Sequence, residues 1–156
     1  LGYKYLKLED SMTIVDVFNN LSVIAAKLTI TTLDNFEKIK PKKQNGSEVS
    51  FCKKIKKENG EISLKDSRAD DQKYKAYCFW PGVFLKSKLK LKDIYLEETN
   101  STNKEGEILK IEENSITLGC EKGSIRVETI QAPSKKAISS VDYIRGKRLK
   151  EGDILN

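Results

Sequence analysis

The hydrophobic residues of this chain change period partway along, and that change limits what the chain can fold into. Between residues 13 and 39, apolar side chains recur at Val17, Leu21, Ile24, Ala25, Leu28, Leu33 and Phe36. Spacings near three and four are the repeat of one face of an α-helix, so an amphipathic helix or a helical pair is expected, and Ser11 stands where a cap would open it. The β-branched run at 29–32 lowers helix propensity midway without interrupting the pattern. After Pro81 the period falls to two. Residues 88–92 alternate Lys and Leu, and short strands are predicted over 83–85, 107–111, 115–120 and 124–130, separated by turns at Glu113-Asn114 and Glu121-Lys122-Gly123. Strands this short and this many close most economically as a small barrel of the OB type.

Between the two regimes, apolar residues thin out from 38 to 60, and Pro41, Asn45 and Gly46 mark an exposed linker. Ser67 to Asp70 has the form of a capping box that opens a short helix through Tyr77, ended by Pro81. A last helix starts at Ser139 or Ser140 and runs to Ile144, stopped by Gly146. The expected class is therefore α+β: an N-terminal helical arm and linker, then a small OB-like barrel of five to six strands with a short C-terminal helix. With 156 residues there is room for one ordinary core, or one small domain plus an arm.

Charge is distributed in blocks. Residues 38–57 hold eight lysines and one glutamate, 86–92 hold four lysines, and 134–150 hold six basic residues against one acid, while 93–133 hold nine acids against four bases. If the three positive blocks converge on one face, they form a band suited to the backbone of a polyanion. The alternative is a solvated lysine-rich surface, and composition alone does not choose between them.

Enzymatic constellations are missing. The chain has no histidine, so a Ser-His-Asp or Cys-His arrangement is excluded. Its nine glycines include neither of the phosphate-cradling loop motifs. The acidic doublets Asp70-Asp71, Glu97-Glu98 and Glu112-Glu113 each fall in a predicted turn or helix start and read as solvated charge. Cys52, Cys78 and Cys120 lie too far apart to pair as metal ligands, so no metal is expected. The sequons at Asn20, Asn45 and Asn100 read as chance. Contiguous apolar runs such as 23–26 are too short to span a bilayer, and no export signal opens the chain, so a cytoplasmic address without membrane is expected. On its own chemistry, the chain reads as a binding module.

The segment IQAPSKKAISSVDYIRGKRLKEGDIL, residues 130–155, resembles the C-terminal signature of the methionyl-tRNA formyltransferase family. Gln131, Lys135, Lys136, Asp142, Arg145, Gly146, Arg148, Leu149, Gly152 and Asp153 all fall in register with it. Upstream, KKENGEI at 56–62, the Trp80-Pro81-Gly82 element, and the helical region containing Thr31-Thr32-Leu33 also resemble the family. Cys78 and Phe79 depart from the family's usual Asn-Pro before Trp-Pro, Ile138 stands where methionine is usual, and Ser63-Leu64 falls where a tryptophan is common.

The resemblance implies a division into residues 1–40 as the helical tail of a catalytic domain, 41–60 as a basic linker and 61–156 as a C-terminal OB-like tRNA-binding domain. The opening Leu1 in place of methionine fits a fragment or a processed product. The implied activity is transfer of a formyl group from 10-formyltetrahydrofolate to the amino group of methionyl-initiator tRNA. The catalytic and donor-binding residues would lie upstream, so no catalytic, cofactor or metal residue is assigned here. The implied partner is methionyl-initiator tRNA, held by its backbone. The residues expected to contact phosphates are Lys53, Lys54, Lys56, Lys57, Lys86, Lys88, Lys135, Lys136, Arg145, Lys147, Arg148 and Lys150.

Each has a plainer reading beside it. Arg145 or Arg148 could clasp Asp142 or Asp153, and lysines 53–57 could be linker solvation. Trp80, with Tyr77 and Phe84, is expected to pack between helix and barrel rather than stack on bases. Two other functions stay open: a stand-alone OB-fold nucleic-acid-binding protein, and part of a related sugar or folate formyltransferase.

Overall fold

The structure, a computed structural model, describes residues 2–41, 43 and 45–155. It divides into two compact units, Leu1–Ile55 and Lys56–Asn156, which are taken in turn.

The first unit is built on helix α1, Ile14–Asp34. Its cap is Thr13 rather than Ser11: the Asp16 carboxylate accepts from the Thr13 backbone N–H at 2.9 Å and from its hydroxyl at 2.7 Å. A Thr-x-x-Asp box satisfies two groups at once, which a lone serine two residues earlier cannot do. The Thr13 donors hold the Asp16 carboxyl below the ordinary carboxylate range. The helix continues through the β-branched run, where the Thr29 and Thr31 hydroxyls donate to the Ala25 and Lys27 carbonyls one turn earlier. It stops at Asp34 and is followed by a 3₁₀ turn, Phe36–Lys38, short of the expected Ile39.

A stripe of Ile14, Val17, Ile24 and Leu28 is half-buried, and no residue of the helix is fully buried. Because the short apolar runs join into one helix of 21 residues containing an 18-residue stretch with a mean hydropathy of 1.3, α1 has the length and composition to cross a bilayer. Sequence runs alone do not reveal this.

The second unit carries a six-stranded antiparallel sheet in the order β1-β2-β5-β4-β3, with β6 also paired to β5. The strands are β1 Val83–Phe84, β2 Lys90–Glu98, β3 Ile108–Ile111, β4 Ile116–Gly119, β5 Ser124–Gln131 and β6 Ile138–Ser139. β3, β4 and β5 form a meander, and β5 pairs in addition with β2, which precedes it, in Greek-key fashion. The class is α+β with a C-terminal helix, as the period change predicts. Among the described residues, no ladder joins the outer strands β1 and β3. Their edges are covered instead. Ile62 donates to Phe84 beside β1, and the C-terminal tail flanks β3 through Ile108 to Asp153 and Gly152 to Ile108 bonds.

All four residues of β4 are buried, so both of its faces are covered. The core comprises Leu91, Ile108, Ile116, Leu118, Ile125, Val127 and Ile130 from the sheet with Val141 and Ile144 from the last helix, all nearly inaccessible. Each such side chain contributes about 1.5–3 kcal/mol. The turn into β5 needs Gly123 at φ 80°, because a Cβ there would lie 2.2 Å from the Glu98 carbonyl.

Local details depart from the sequence pattern for identifiable reasons. Helix α2, Ser67–Tyr77, is capped by Asp66, whose Oδ1 accepts from Arg68 and Ala69. Ser67 Oγ, the expected cap, donates to the Glu98 carbonyl instead and ties the helix to β2. Lys88 is not in a strand; at φ 67° it sits in the turn between β1 and β2. The alternation of 88–92 continues a turn into a strand that begins at Lys90. Helix α3, Ser140–Lys147, is capped by Ser139 and passes through Gly146, because Arg148 at φ 58° supplies the left-handed cap.

Candidate nucleic-acid interface

Within the second unit, parts of the basic blocks meet. A groove of about 330 Å³ is lined by Lys57, Phe84, Lys88, Lys90, Gln131, Ala132, Pro133 and Ser134. Register explains why. Phe84 pairs with Lys90 across β1 and β2, and Lys90 pairs with Gln131 across β2 and β5, so one end of the sheet lines up these residues. Lys57 comes from the 3₁₀ turn Lys57–Gly60, which is anchored by buried Gly60. A Cβ on Gly60 would lie 2.0 Å from the Gly82 carbonyl, so this turn seats directly against the chain entering β1.

The loop after β5 continues the groove wall into the signature lysines. Ser134 takes φ 59°, Lys135 N–H donates to the Ala132 carbonyl, and Gln131 Nε2 donates to the Lys135 carbonyl at 2.9 Å. This closes a tight turn that leaves Lys135 and Lys136 exposed. Gln131 and the Ser134 backbone thus position the lysines. Lys90 was not among the expected contacts although it stands in the same alternating run, and only its pairing with Gln131 brings it to the groove.

The remaining expected residues are placed differently. Lys86 lines a second groove, of about 460 Å³, together with Glu61, Ser63, Glu105, Gly106 and Leu155. Lys53 and Lys54 are exposed at the end of the first unit, and Lys56 is exposed at the start of the second. Lys42, in the same lysine block, lies outside the described residues. Arg145 and Lys147 are on α3, with Arg148 and Lys150 at its exit, and none of the four lines the first groove.

Among the described residues, two of the twelve expected contacts have a carboxylate within reach. Lys88 Nζ lies 2.7 Å from Glu61 Oε2, with its ammonium 4.9 Å from the centre of the Phe84 ring. The Lys88 ammonium holds the Glu61 carboxyl below its usual range. Arg145 lies 3.9 Å from Asp142, both side chains largely exposed, a geometry of little energetic weight. Asp153 is no clasp for an arginine: its Oδ2 accepts from the Lys150 backbone N–H at 2.7 Å.

The aromatic expectation needs correction. Phe84 is buried and Tyr77 packs on the core, but Trp80 is 53% exposed and Phe79 75%. Gly82 N–H donates to the Tyr77 carbonyl, closing a turn on which Phe79 and Trp80 are exposed, while Pro81 is buried with its ring beside Gly60.

Three buried titratable groups lie in or beside α2, of which Asp71 is ion-paired to Lys75 at 2.6 Å. Asp70 is 6% exposed, its Oδ2 has no hydrogen-bond partner, and burial pushes its carboxyl up to about 6. The Cys120 thiol is pushed up to about 12, first by burial and then by the nearby Asp70 and Asp66 carboxylates. No cluster of three metal-ligating side chains occurs among the described residues.

Residues 54–148 match the family described as formyl transferase, C-terminal domain. The chain belongs to this family. The match covers the 3₁₀ turn that carries Lys57, the whole sheet and α3. Over 153 residues, 98% of its length, the chain is 44% identical to a methionyl-tRNA formyltransferase of a Nitratiruptor species, of which this is 51%. Over 140 residues it is 48% identical to a methionyl-tRNA formyltransferase of Campylobacter lari, covering 90% of this chain and 46% of that one. The chain thus spans about half the length of the curated relatives it matches. The fold also recurs in HypX from Aquifex aeolicus. That crystal structure superposes with a TM-score of 0.72 at 19% identity, over 89% of this chain and 27% of that one.

Proposed function

We propose that these residues are the C-terminal half of a methionyl-tRNA formyltransferase and that their part in formyl transfer is to hold tRNA by its phosphate backbone. The reading is supported by the relatives' names and by one structural observation. Lys57, Lys88 and Lys90 line a single groove that leads into the Lys135-Lys136 turn, and among the described residues most of the expected basic contacts have no carboxylate within reach. The curled sheet would serve as an OB-like platform.

The reaction would pass a formyl group from 10-formyltetrahydrofolate to the amino group of methionyl-initiator tRNA. Donor binding and proton transfer belong, in this reading, to a preceding domain, because this stretch offers no imidazole and no exposed carboxylate pair aimed into the groove. The chain's own contribution is electrostatic. Ammonium groups replace counterions condensed along the ribose-phosphate chain, and their release drives association at low salt. Charge-assisted N–H to phosphate-oxygen bonds fix the register, and base edges are not read. Initiator specificity would come mainly from the preceding domain. The exposed apolar side chains of α1, among them Phe18, Val23, Ile30 and Leu33, read as a packing surface for that domain, not as a membrane span, and the protein would act in the cytoplasm.

Filter binding of the chain to initiator and elongator tRNA across a salt series tests the reading. With three to five phosphate contacts, log K is expected to fall against log salt with a slope of about −3 to −5. The two tRNAs should differ little. Salt-independent binding, or none at low salt, would refute the proposal.

A further inference from the structure

Phe79 and Trp80 are two adjacent large aromatics held out into solvent on a turn that is itself rigid. The Cys78 N–H donates to Tyr74 and the Gly82 N–H to Tyr77, Pro81 packs against Gly60, and Tyr77 is anchored on the core. Solvent-exposed aromatic area of this kind has a hydrophobic cost and is kept where something covers it. The surroundings say what. A Cβ on Gly82 would lie 3.9 Å from Lys90 Nζ, and Gly60, pressed on Gly82, ends the turn that begins with Lys57. The aromatic turn is thus joined on two sides to residues that carry the basic groove.

We infer that Phe79 and Trp80 form a stacking site for an unpaired nucleobase of an RNA strand whose phosphates occupy the Lys57–Lys88–Lys90 groove. The inference rests on the RNA reading and adds to it. Lysines alone hold any polyanion and do not tell a duplex from a single strand. Exposed rings beside them do, because only an unstacked base has a free face to offer. The contact needs no base-edge hydrogen bond, so it selects for single-stranded structure, not for sequence. A polypeptide covering the same rings is the competing occupant, and charge complementarity at the neighbouring lysines favours RNA.

Trp80 is the single tryptophan of the chain, so its fluorescence reports on this site alone. The 156-residue chain is titrated at low salt with a short single-stranded oligoadenylate and with a blunt RNA duplex of equal phosphate number. Oligoadenylate is expected to quench Trp80 emission and the duplex to bind without quenching. Trp80→Leu should weaken oligoadenylate binding about five- to hundred-fold while leaving duplex affinity and its salt slope unchanged. Trp80→Phe should retain most of the affinity, and Phe79→Ser gives a second loss should Trp80→Leu unfold, as judged by circular dichroism.

Binding of oligoadenylate without quenching, or equal weakening of both RNAs by Trp80→Leu, would overturn the stacking site and favour a protein contact there. Failure of both RNAs to bind the unaltered chain would overturn the underlying RNA reading itself.

Discussion

Asp70 offers the sharpest test of how this fold balances charge against burial. Its carboxyl sits in the first turn of α2, nearly inaccessible, with one oxygen unpartnered; the Leu64 N–H, the Lys73 ammonium and the Ser63 N–H favour the anion but do not offset desolvation, to which the nearby Asp66 carboxylate adds. The carboxyl is raised from 3.8 to about 6. A shift of that size corresponds to roughly 3 kcal/mol between the two protonation states.

The sign follows from linkage. Folding raises this pKa, so the folded state takes up a proton between about pH 4 and pH 6. The group's contribution is fully present below 3.8 and is lost as pH rises through 6. Asp70→Asn removes the titration. Its amide N–H₂ inherits the unpartnered position of Oδ2, a fixed penalty of about 1–3 kcal/mol at every pH. The informative quantity is therefore the difference between variant and unaltered chain as a function of pH.

Urea unfolding followed by far-ultraviolet circular dichroism from pH 4 to pH 7.5 should show the variant gaining on the unaltered chain by about 2.5 kcal/mol across that interval, most of it between pH 4 and pH 6. A difference that stays flat, with Asp70→Asn destabilised equally throughout, would show that the groups favouring the anion fully offset burial, and would refute the reasoning.

Removing Lys57 or Lys90 by alanine substitution should each reduce the salt slope of tRNA binding by about one and weaken binding of initiator and elongator tRNA alike, as read by filter binding. Glu61→Gln should act the other way, because it releases Lys88 from its 2.7 Å ion pair; a several-fold tighter complex at low salt, with a steeper slope, is expected. Gly60→Ala forces a Cβ within 2.0 Å of the Gly82 carbonyl and should destabilise the second unit by at least ~2 kcal/mol in a thermal melt. Limited trypsin digestion should cut first within the exposed run 53–57, and mass spectrometry should then find the span from β1 to α3 intact. Early cleavage at Lys90 or Arg126 instead would contradict the strand pairing described.

Local periodicity determined much of this protein. The stripe through Val17, Ile24 and Leu28 is enough to make α1, and alternation between 88 and 130 is enough to make strands. Both follow from which side chains share a face, and a sequence states that directly. The basic blocks and the absence of histidine were equally plain, and the signature at 130–155 carried the family.

Only the tertiary structure decided how distant segments use those residues. Asp66 caps α2 because Ser67 is drawn to the Glu98 carbonyl 31 positions away. Lys90 reaches the groove because strand register sets it opposite Gln131. Lys88 is partly neutralised by Glu61, and Pro81 packs beside Gly60 while its neighbour Trp80 stands in solvent. A charge count along the chain sums what is present, whereas a binding surface depends on which charges face the same way and which are already paired. Those are long-range relations, set by strand pairing and close backbone approach, and no window of neighbouring residues contains them.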